Sequence, residues 1–293
     1  MKVREHMKTK KYYETVKIKQ ENYYFEGALD HFNERIRVDY YLGNVSLLIE
    51  RVEKLAKEYK YTKLIIKARS EHLYSFLQSG YMIESALKGY FQGSDGFFVT
   101  KYASQERRNS LYWAAGDDIL DAVLKSDRSK EKVIPDEYVI RRAEKNDSKK
   151  LAKLYGQVFK VYPTPLNEPT YVEKSMDEGT IYWIYEMDGN IVSAASAEID
   201  FGQRNAELTN CATLEEHRKH GLMKELMKKL EQDLVSEAIY CSYTIARSLS
   251  YGMNAAFHQL GYMYTGRMAN NCYIFDKLED MNVWVKDLSK VVS

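Results

Sequence analysis

ATLEEHRKHGLMKELMKKL, residues 212–230, decides the reading of this 293-residue chain. A strand leads into a short loop holding Arg218, Lys219, His220 and Gly221, and a helix begins at once. Leu222, Met223, Leu226, Met227, Leu230 and Leu234 fall on one apolar face of that helix. Such a loop points several unpaired backbone N–H groups at one spot, and the helix dipole adds partial positive charge there. The pattern is an anion site suited to a pyrophosphate. Gly221 admits close approach of the backbone, and Arg218 and Lys219 add charge. An ordinary helix start with solvated basic residues is the alternative for the loop taken alone.

Working outward, YVIRRAEKND (138–147) reads as a strand ending at a helix start, and KKLAKLYGQVF (149–159) continues with apolar residues at helical spacing. Prolines 163, 165 and 169 are expected to break regular structure. IYWIYEMDGNIVSAASAEID (181–200) reads as two strands around an Asp188-Gly189 turn, and AELTNCAT (206–213) as a third. After the loop and its helix come a strand at 239–247, a helix at 251–260 and closing strands around 262–275 and 281–287. The class is α/β with a mixed sheet.

The length predicts about two domains. SDRSKEKVIPDE (126–137) is the composition break, giving domains 1–127 and 137–293 with a linker at 128–136. With 43 basic against 42 acidic residues, composition offers no argument for nucleic acid or an anionic membrane as partner. The basic N-terminus lacks the apolar stretch of a secretory signal, and no run of about 18 apolar residues follows. Cys211, Cys241 and Cys272 are widely spaced, which fits a reducing compartment, and the cytoplasm is expected. No metal is expected: His217 and His220 are three apart but lack a third ligand nearby. The 25 tyrosines fall mostly in apolar runs and read as packing.

A short phrase occurs twice. FLQSGYM (76–82) and FHQLGYM (257–263) agree at five of seven positions, and Ala68-Arg69-Ser70 aligns with Ala246-Arg247-Ser248. Upstream of the first copy, FEGALDHFNERIRVDYY reads as a hairpin and SLLIERVEKLAKEY as an amphipathic helix, so strand, helix, strand, helix recur in order. Chance similarity of helix ends is the competing explanation.

Residues 212–230 resemble the R-x-x-G-x-[GA] acetyl-CoA loop of GNAT acetyltransferases. Arg218 and Gly221 match, and Met223 stands where Gly or Ala is usual. The resemblance covers residues 137–293 and implies a GNAT-type mixed sheet flanked by helices. Its strands splay around the pantetheine arm of acetyl-CoA, held by backbone near Cys211, Thr213 and Leu214. Arg218, Lys219, His220, Gly221, Leu222 and Met223 would then receive the pyrophosphate. Residues 1–127 look like a degenerate GNAT-like α/β domain, because their counterpart to the loop has Gly43 but no basic residue beside it.

Acetyl transfer requires a neutral amine, and an alkyl ammonium with pKa near 10.4 is only about one part in a thousand neutral near pH 7.4. Glu207 is the expected base. Its setting resembles the strand carrying the catalytic glutamate of histone acetyltransferases in this superfamily, while a solvent-facing edge glutamate is the alternative. Many GNAT enzymes place a tyrosine where this chain has Phe257, so Tyr251, Tyr262, Tyr264 or a water is the candidate proton donor to the thiolate. Asn254 could bond the cofactor arm or cap a helix turn. Arg247 is the candidate clamp for a substrate carboxylate.

Longer strings sharpen the resemblance. SYGMNAAFHQLGYMYTGRMANNCYIFDKLEDMNVWVKDL (250–288), DHFNERIRVDYYLG (30–43) and GYFQGSDGFFVTKY (89–102) are similar to the β-lysine N-acetyltransferase family. That family implies acetylation of the terminal amine of β-lysine to Nε-acetyl-β-lysine, a compatible solute, with a lysine 2,3-aminomutase supplying the substrate. Glu198, Asp200, Asn270, Asn271 and Glu279 are candidates to hold the 3-amino group, and the sequence does not rank them. A homodimer is one candidate assembly. The alternatives are acetylation of another small diamine or amino acid, and a non-catalytic acyl-CoA sensor.

Overall fold

The computed structural model describes residues 13–127, 133–159, 162, 164–274 and 277–290. Residues 128–132, most of the expected linker, and Pro163 lie outside the described residues. The first half runs β1 (Glu14–Lys19), β2 (Tyr23–Asp30), β3 (Arg35–Gly43), α1 (Val45–Glu58), β4 (Lys63–Arg69), α2 (Leu73–Gln78), β5 (Met82–Phe91) and β6 (Ser94–Tyr102). Two helices, α3 (Gln105–Arg108) and α4 (Trp113–Leu124), lead to the second half. There β7 (Val139–Arg142), α5 (Ser148–Val158) and α6 (Pro169–Asp177) precede β8 (Ile181–Met187), β9 (Asn190–Asp200) and β10 (Asn205–Thr213). The chain then forms α7 (Leu222–Ser236), β11 (Cys241–Arg247), α8 (Tyr251–Gln259), β12 (Met263–Ile274) and β13 (Lys277–Asp287).

The thirteen strands of the described residues join one sheet in the order β1-β2-β3-β4-β6-β5-β12-β13-β11-β10-β9-β8-β7. From its outer end the first half reads three antiparallel strands, a parallel crossover through α1, and a closing hairpin placed with its second strand inside. From β8 inward the second half repeats that path through α7. The duplicated FLQSGYM and FHQLGYM each end the helix before the strand, β5 or β12, that meets its counterpart at the centre. Asp188 and Gly189, both at positive φ, make the two-residue turn between β8 and β9 that the sequence predicts.

Three elements escape the sequence reading. β1 carries alternating half-buried and exposed residues on an outer edge, so little apolar pattern marks it. Pro169 does not break structure but opens α6 at its first turn, where a missing N–H costs nothing. The helix α4, inside the expected first domain, inserts Leu120 and Val123 into the second half's core beside Leu226 and Phe257. Its Asp117 also pairs with the buried Arg267 of β12 at 2.8 Å.

The two halves of the sheet pack on each other. Ile65, Leu87, Tyr90 and Phe98 of the first half share a core with Tyr243, Met268, Met281 and Val283 of the second. Only one residue pair, Gly266 with Ser85, joins β12 to β5 in register. A Cβ at Gly266 would lie 1.9 Å from the Glu84 carbonyl oxygen and 2.8 Å from Ser85 Cα. Its φ of 153° also suits no other residue well. Beside it, residues 269–271 bulge out of β12 opposite Asp280, which breaks the ladder while keeping the backbone buried. Asp280 of β13 accepts from Asn270 N at 2.7 Å, and first-half side chains meet the other freed groups. Glu84 accepts from Ala269 N at 2.8 Å, Lys63 Nζ donates to Ala269 O at 2.8 Å, and Arg35 and Arg107 donate to Asn271 O at 3.0 and 3.2 Å. Lys63 is wholly buried; desolvation pulls its ammonium down to about 8, against the opposing pull of Glu84 3.0 Å away.

Gly266→Ala is therefore expected to lower stability by about 3 kcal/mol or more. Denaturant melts followed by tryptophan fluorescence check this; a loss below about 0.5 kcal/mol would mean that the junction tolerates displacement of β5.

Candidate active site

The local structure of residues 212–230 follows the sequence reading. β10 and β11 pair in parallel only through Asn205–Cys241, Ala206–Ser242 and Glu207–Tyr243. Beyond that point they diverge, although β10 runs on to Thr213 and β11 to Arg247. The Thr244 hydroxyl donates to Leu208 O at 2.7 Å, occupying a carbonyl that the splay deprives of a strand partner. At the end of β10 the loop turns through Lys219 at φ 71° and Gly221 at φ 85°, and α7 starts without any side-chain cap. Arg218 Nε donates to Thr213 O at 3.2 Å, tying the loop across its mouth. An uncapped 15-residue helix behind exposed Arg218 and Lys219 leaves its N-terminal pole available to an anion. Leu222 turns its side chain into the core and Met223 packs beside it, so these two can offer a ligand only their backbone. His217 and His220 pack on Tyr138, whose hydroxyl meets His217 Nδ1 at 2.9 Å. Among the described residues no cluster of potential metal ligands occurs.

Two connected hollows open from the splay. The smaller, about 130 Å³, lies between the diverging strands and is lined by Cys211, Arg247, Met253 and Phe257. The larger, about 350 Å³, lies between the two halves of the molecule. Its second-half wall carries Glu198, Glu207 and Asn271; its first-half wall carries Arg37, Asp39 and Lys67. Tyr162, Thr209 and Asn210 border both hollows.

Glu198 and Glu207 are register partners across β9 and β10. Like charges at directly opposed positions repel. Glu198 opens onto the hollow yet is ringed by protein; desolvation, then repulsion by Glu207, raises its carboxyl to about 7. A bulge places Asn210 at φ 53° and sends its Nδ2 to Ser196 Oγ at 2.8 Å and to Glu198 Oε1 at 3.4 Å. Tyr162 donates its hydroxyl hydrogen to Asn210 Oδ1 at 3.4 Å. Burial holds the Tyr162 phenol well above its usual range, so it stays protonated. Asn271 Oδ1 is buried with no hydrogen-bond partner among the described residues, at a cavity wall.

The structure thus assembles Glu207, Glu198 and Asn271, but it redistributes other expected residues. Tyr262 is wholly buried, meets Ser242 Oγ at 2.7 Å and packs edge-on against Phe257, away from both hollows. It is a core tyrosine rather than a proton donor. Tyr251 is 48% exposed at the start of α8 and lines neither hollow. Asn254 is fully engaged inside the core: Nδ2 donates to Arg247 O and Ser250 O, while Oδ1 accepts from Asn282 and Trp284. No polar atom of it is left for a cofactor. Arg247 lines the smaller hollow and sits 3.7 Å from Glu279, away from the larger cavity where a substrate carboxylate would need it. Burial pushes the Cys211 thiol up to about 12, so it lines the channel as a neutral group. Sequence reading missed Tyr162, Asn210, Arg37 and Lys67. The single readable sign was the charge alternation Arg35, Arg37, Asp39 on one face of an apolar strand.

Residues 149–262 match the family model described as acetyltransferase (GNAT) family. The chain is 37% identical over 264 residues to N-acetyltransferase YodP of Bacillus subtilis, covering 89% of this chain and 96% of that protein. It is 35% identical to the beta-lysine N(6)-acetyltransferases of Methanococcus maripaludis and Methanosarcina mazei. Those matches cover 88% and 85% of this chain and 94% and 99% of theirs. The chain belongs to the GNAT acetyltransferase family. It is an N-acetyltransferase, and both halves fall within the similarity to these relatives. No helix among the described residues is long and apolar enough to cross a membrane.

Ionising Glu198 in this setting costs stability. Its folded pKa lies above the ordinary 4.5, so the folded form binds the extra proton between about pH 4.5 and 7, and stability falls across that window. Glu198→Gln is expected to raise the melting temperature at pH 8 and leave it nearly unchanged at pH 4. Equal shifts at both values would show that the gain is not electrostatic.

Proposed function

We propose that the protein transfers the acetyl group of acetyl-CoA to the terminal amine of β-lysine, giving Nε-acetyl-β-lysine. The observation that carries the reading is the carboxylate pair Glu198 and Glu207 in the wall of a polar cavity that adjoins the strand splay. The names of two relatives that match nearly the whole chain support the choice of amine.

The uncapped N-terminus of α7, with Arg218 and Lys219, would take the pyrophosphate of acetyl-CoA, and the splay would take its pantetheine arm. The thioester then lies where the two hollows meet. The substrate ammonium enters the larger cavity and gives one proton to the carboxylate pair, in which desolvation and then repulsion by Glu207 raise the Glu198 carboxyl to about 7. The neutral amine attacks the thioester carbon, a C–N bond forms, and the C–S bond breaks. The leaving thiolate takes a proton from Tyr162, which burial keeps protonated and which borders both hollows. The second amine proton restores the Tyr162 phenol, and the proton held by the carboxylate pair leaves to solvent.

The first half is read as a duplicated copy that kept its fold and lost its own cofactor site. Counted from either strand end, Tyr41 of β3 stands at the position of Cys211 in β10. It fills the equivalent splay, accepting from Arg69 N at 3.1 Å. Asn44 caps α1 directly, accepting from Leu47 N at 3.1 Å, so no anion loop remains. The product carries no net charge, which suits a solute accumulated to high concentration in the cytoplasm during osmotic stress. A lysine 2,3-aminomutase would supply the substrate.

Thiol release from acetyl-CoA, measured with β-lysine, α-lysine, ornithine and putrescine and with mass spectrometry of the product, tests this reading. Strong preference for β-lysine with one terminal acetyl is expected. Preference for another amine would discard the substrate, and acetyl-CoA binding without turnover would favour an acyl-CoA sensor. In the enzyme, kcat/KM should rise with pH through about 7 as Glu198 loses its proton. Glu207→Gln should lower kcat by about 10²-fold or more with the KM for acetyl-CoA retained.

A further inference from the structure

The substrate in the reading above bears a carboxylate, and the arginine expected to hold it lies in the other hollow. Three basic side chains line the larger cavity, all from the first half: Arg35, Arg37 and Lys67. Arg35 is committed to Asp30 at 2.8 Å and to Asn271 O at 3.0 Å. Lys67 is buried, 3.0 Å from Asp39, with its ammonium over the rings of Tyr90 and Tyr243 at 5.3 and 5.8 Å. Arg37 differs. Its Nε donates to Asp39 Oδ2 at 3.0 Å and its Nη2 to Tyr13 OH at 3.4 Å, while Nη1 has no hydrogen-bond partner among the described residues.

We propose that Arg37 is the group that recognises the substrate carboxylate, so that the first half is a specificity element of the acetyltransferase site. The inference rests on the proposed transfer to an amino acid's side-chain amine. Asp39 fixes the guanidinium plane through Nε, and Lys67 in turn holds Asp39, a relay that pre-organises the fork toward the cavity. The placement also follows from the internal repeat. Arg37 in β3 and Glu207 in β10 occupy matching positions, each third from the strand start, and both line the same cavity. The duplicated strands thus present opposite charges to one ligand: carboxylates toward the reacting amine, a guanidinium toward the carboxylate. The unpaired Asn271 Oδ1 is left to accept from the 3-ammonium. Such a bipolar cavity selects a zwitterionic amino acid over a simple diamine.

The test uses the full chain as wild type, Arg37→Gln and Arg37→Lys, with β-lysine and with 1,4-diaminopentane, which keeps both amines and lacks the carboxylate. Wild type should favour β-lysine in kcat/KM by on the order of 10- to 100-fold, the value of a charge-assisted bidentate contact. Arg37→Gln should raise the KM for β-lysine by a similar factor, with kcat/KM for the diamine and KM for acetyl-CoA within about 3-fold of wild type. Arg37→Lys should recover only part of the loss, because an ammonium lacks the fork. Equal losses for both substrates, or none for β-lysine, would overturn the assignment in favour of a charge-balancing role beside Glu207. Wild-type preference for the diamine would overturn it without any variant, even if Arg37→Gln failed to fold. If wild type instead prefers a different amino acid, the β-lysine reading fails. The same comparison between that amino acid and its decarboxylated amine then still decides Arg37.

Discussion

The bulge at residues 269–271 is the constraint on which the rest of the molecule depends. It takes backbone N–H and C=O groups out of the β12 ladder in a place where water cannot reach them. A buried amide left without a partner costs a large fraction of a protein's net stability. Four charged side chains from the first half, Lys63, Glu84, Arg35 and Arg107, meet these groups. They could not be buried alone either; the ammonium and guanidinium groups are tolerated because carbonyls and carboxylates surround them. The two halves therefore satisfy each other's buried polar groups and leave a cavity between them.

One topology serves two purposes because the same splay is treated differently in each copy. In both halves the parallel pair separates after a few residues. In the first the gap is filled by Tyr41 and the following helix is capped by Asn44, so that copy is closed and stable. In the second a small residue, Cys211, stands at the equivalent place and an eight-residue connection, 214–221, replaces the single capping asparagine. Openness there carries a cost: an uncapped helix, two residues at positive φ, and the repelling pair Glu198 and Glu207. Such departures from local rules concentrate where a protein works.

Much was legible in the sequence. The basic loop, its helix, the hairpin at Asp188-Gly189 and the repeated phrase are local signals, because each depends on chemistry spanning fewer than about ten residues. Glu207 and Phe257 were singled out by resemblance to a family strand and helix, and the structure places them in the walls of the larger and the smaller hollow respectively. Tyr262 and Asn254 misled because both are close in sequence to the loop-bearing strands yet turn into the core, where Ser242 and Trp284 engage them. Arg247 misled similarly, since the face of a strand end depends on how far its neighbour has splayed.

The sequence by itself determined the class, the chain order of strands and helices in the second half, the position of the basic turn before α7 and the repeated phrase, since hydrophobic period and turn chemistry encode them locally. Only the tertiary structure decided that the copies face each other and share a cavity. That outcome rests on contacts between residues some 170 to 240 positions apart, Lys67 with Tyr243 and Asn33 with Tyr273. No local pattern carries such a pairing, because it depends on which buried backbone groups lack partners after each half has folded.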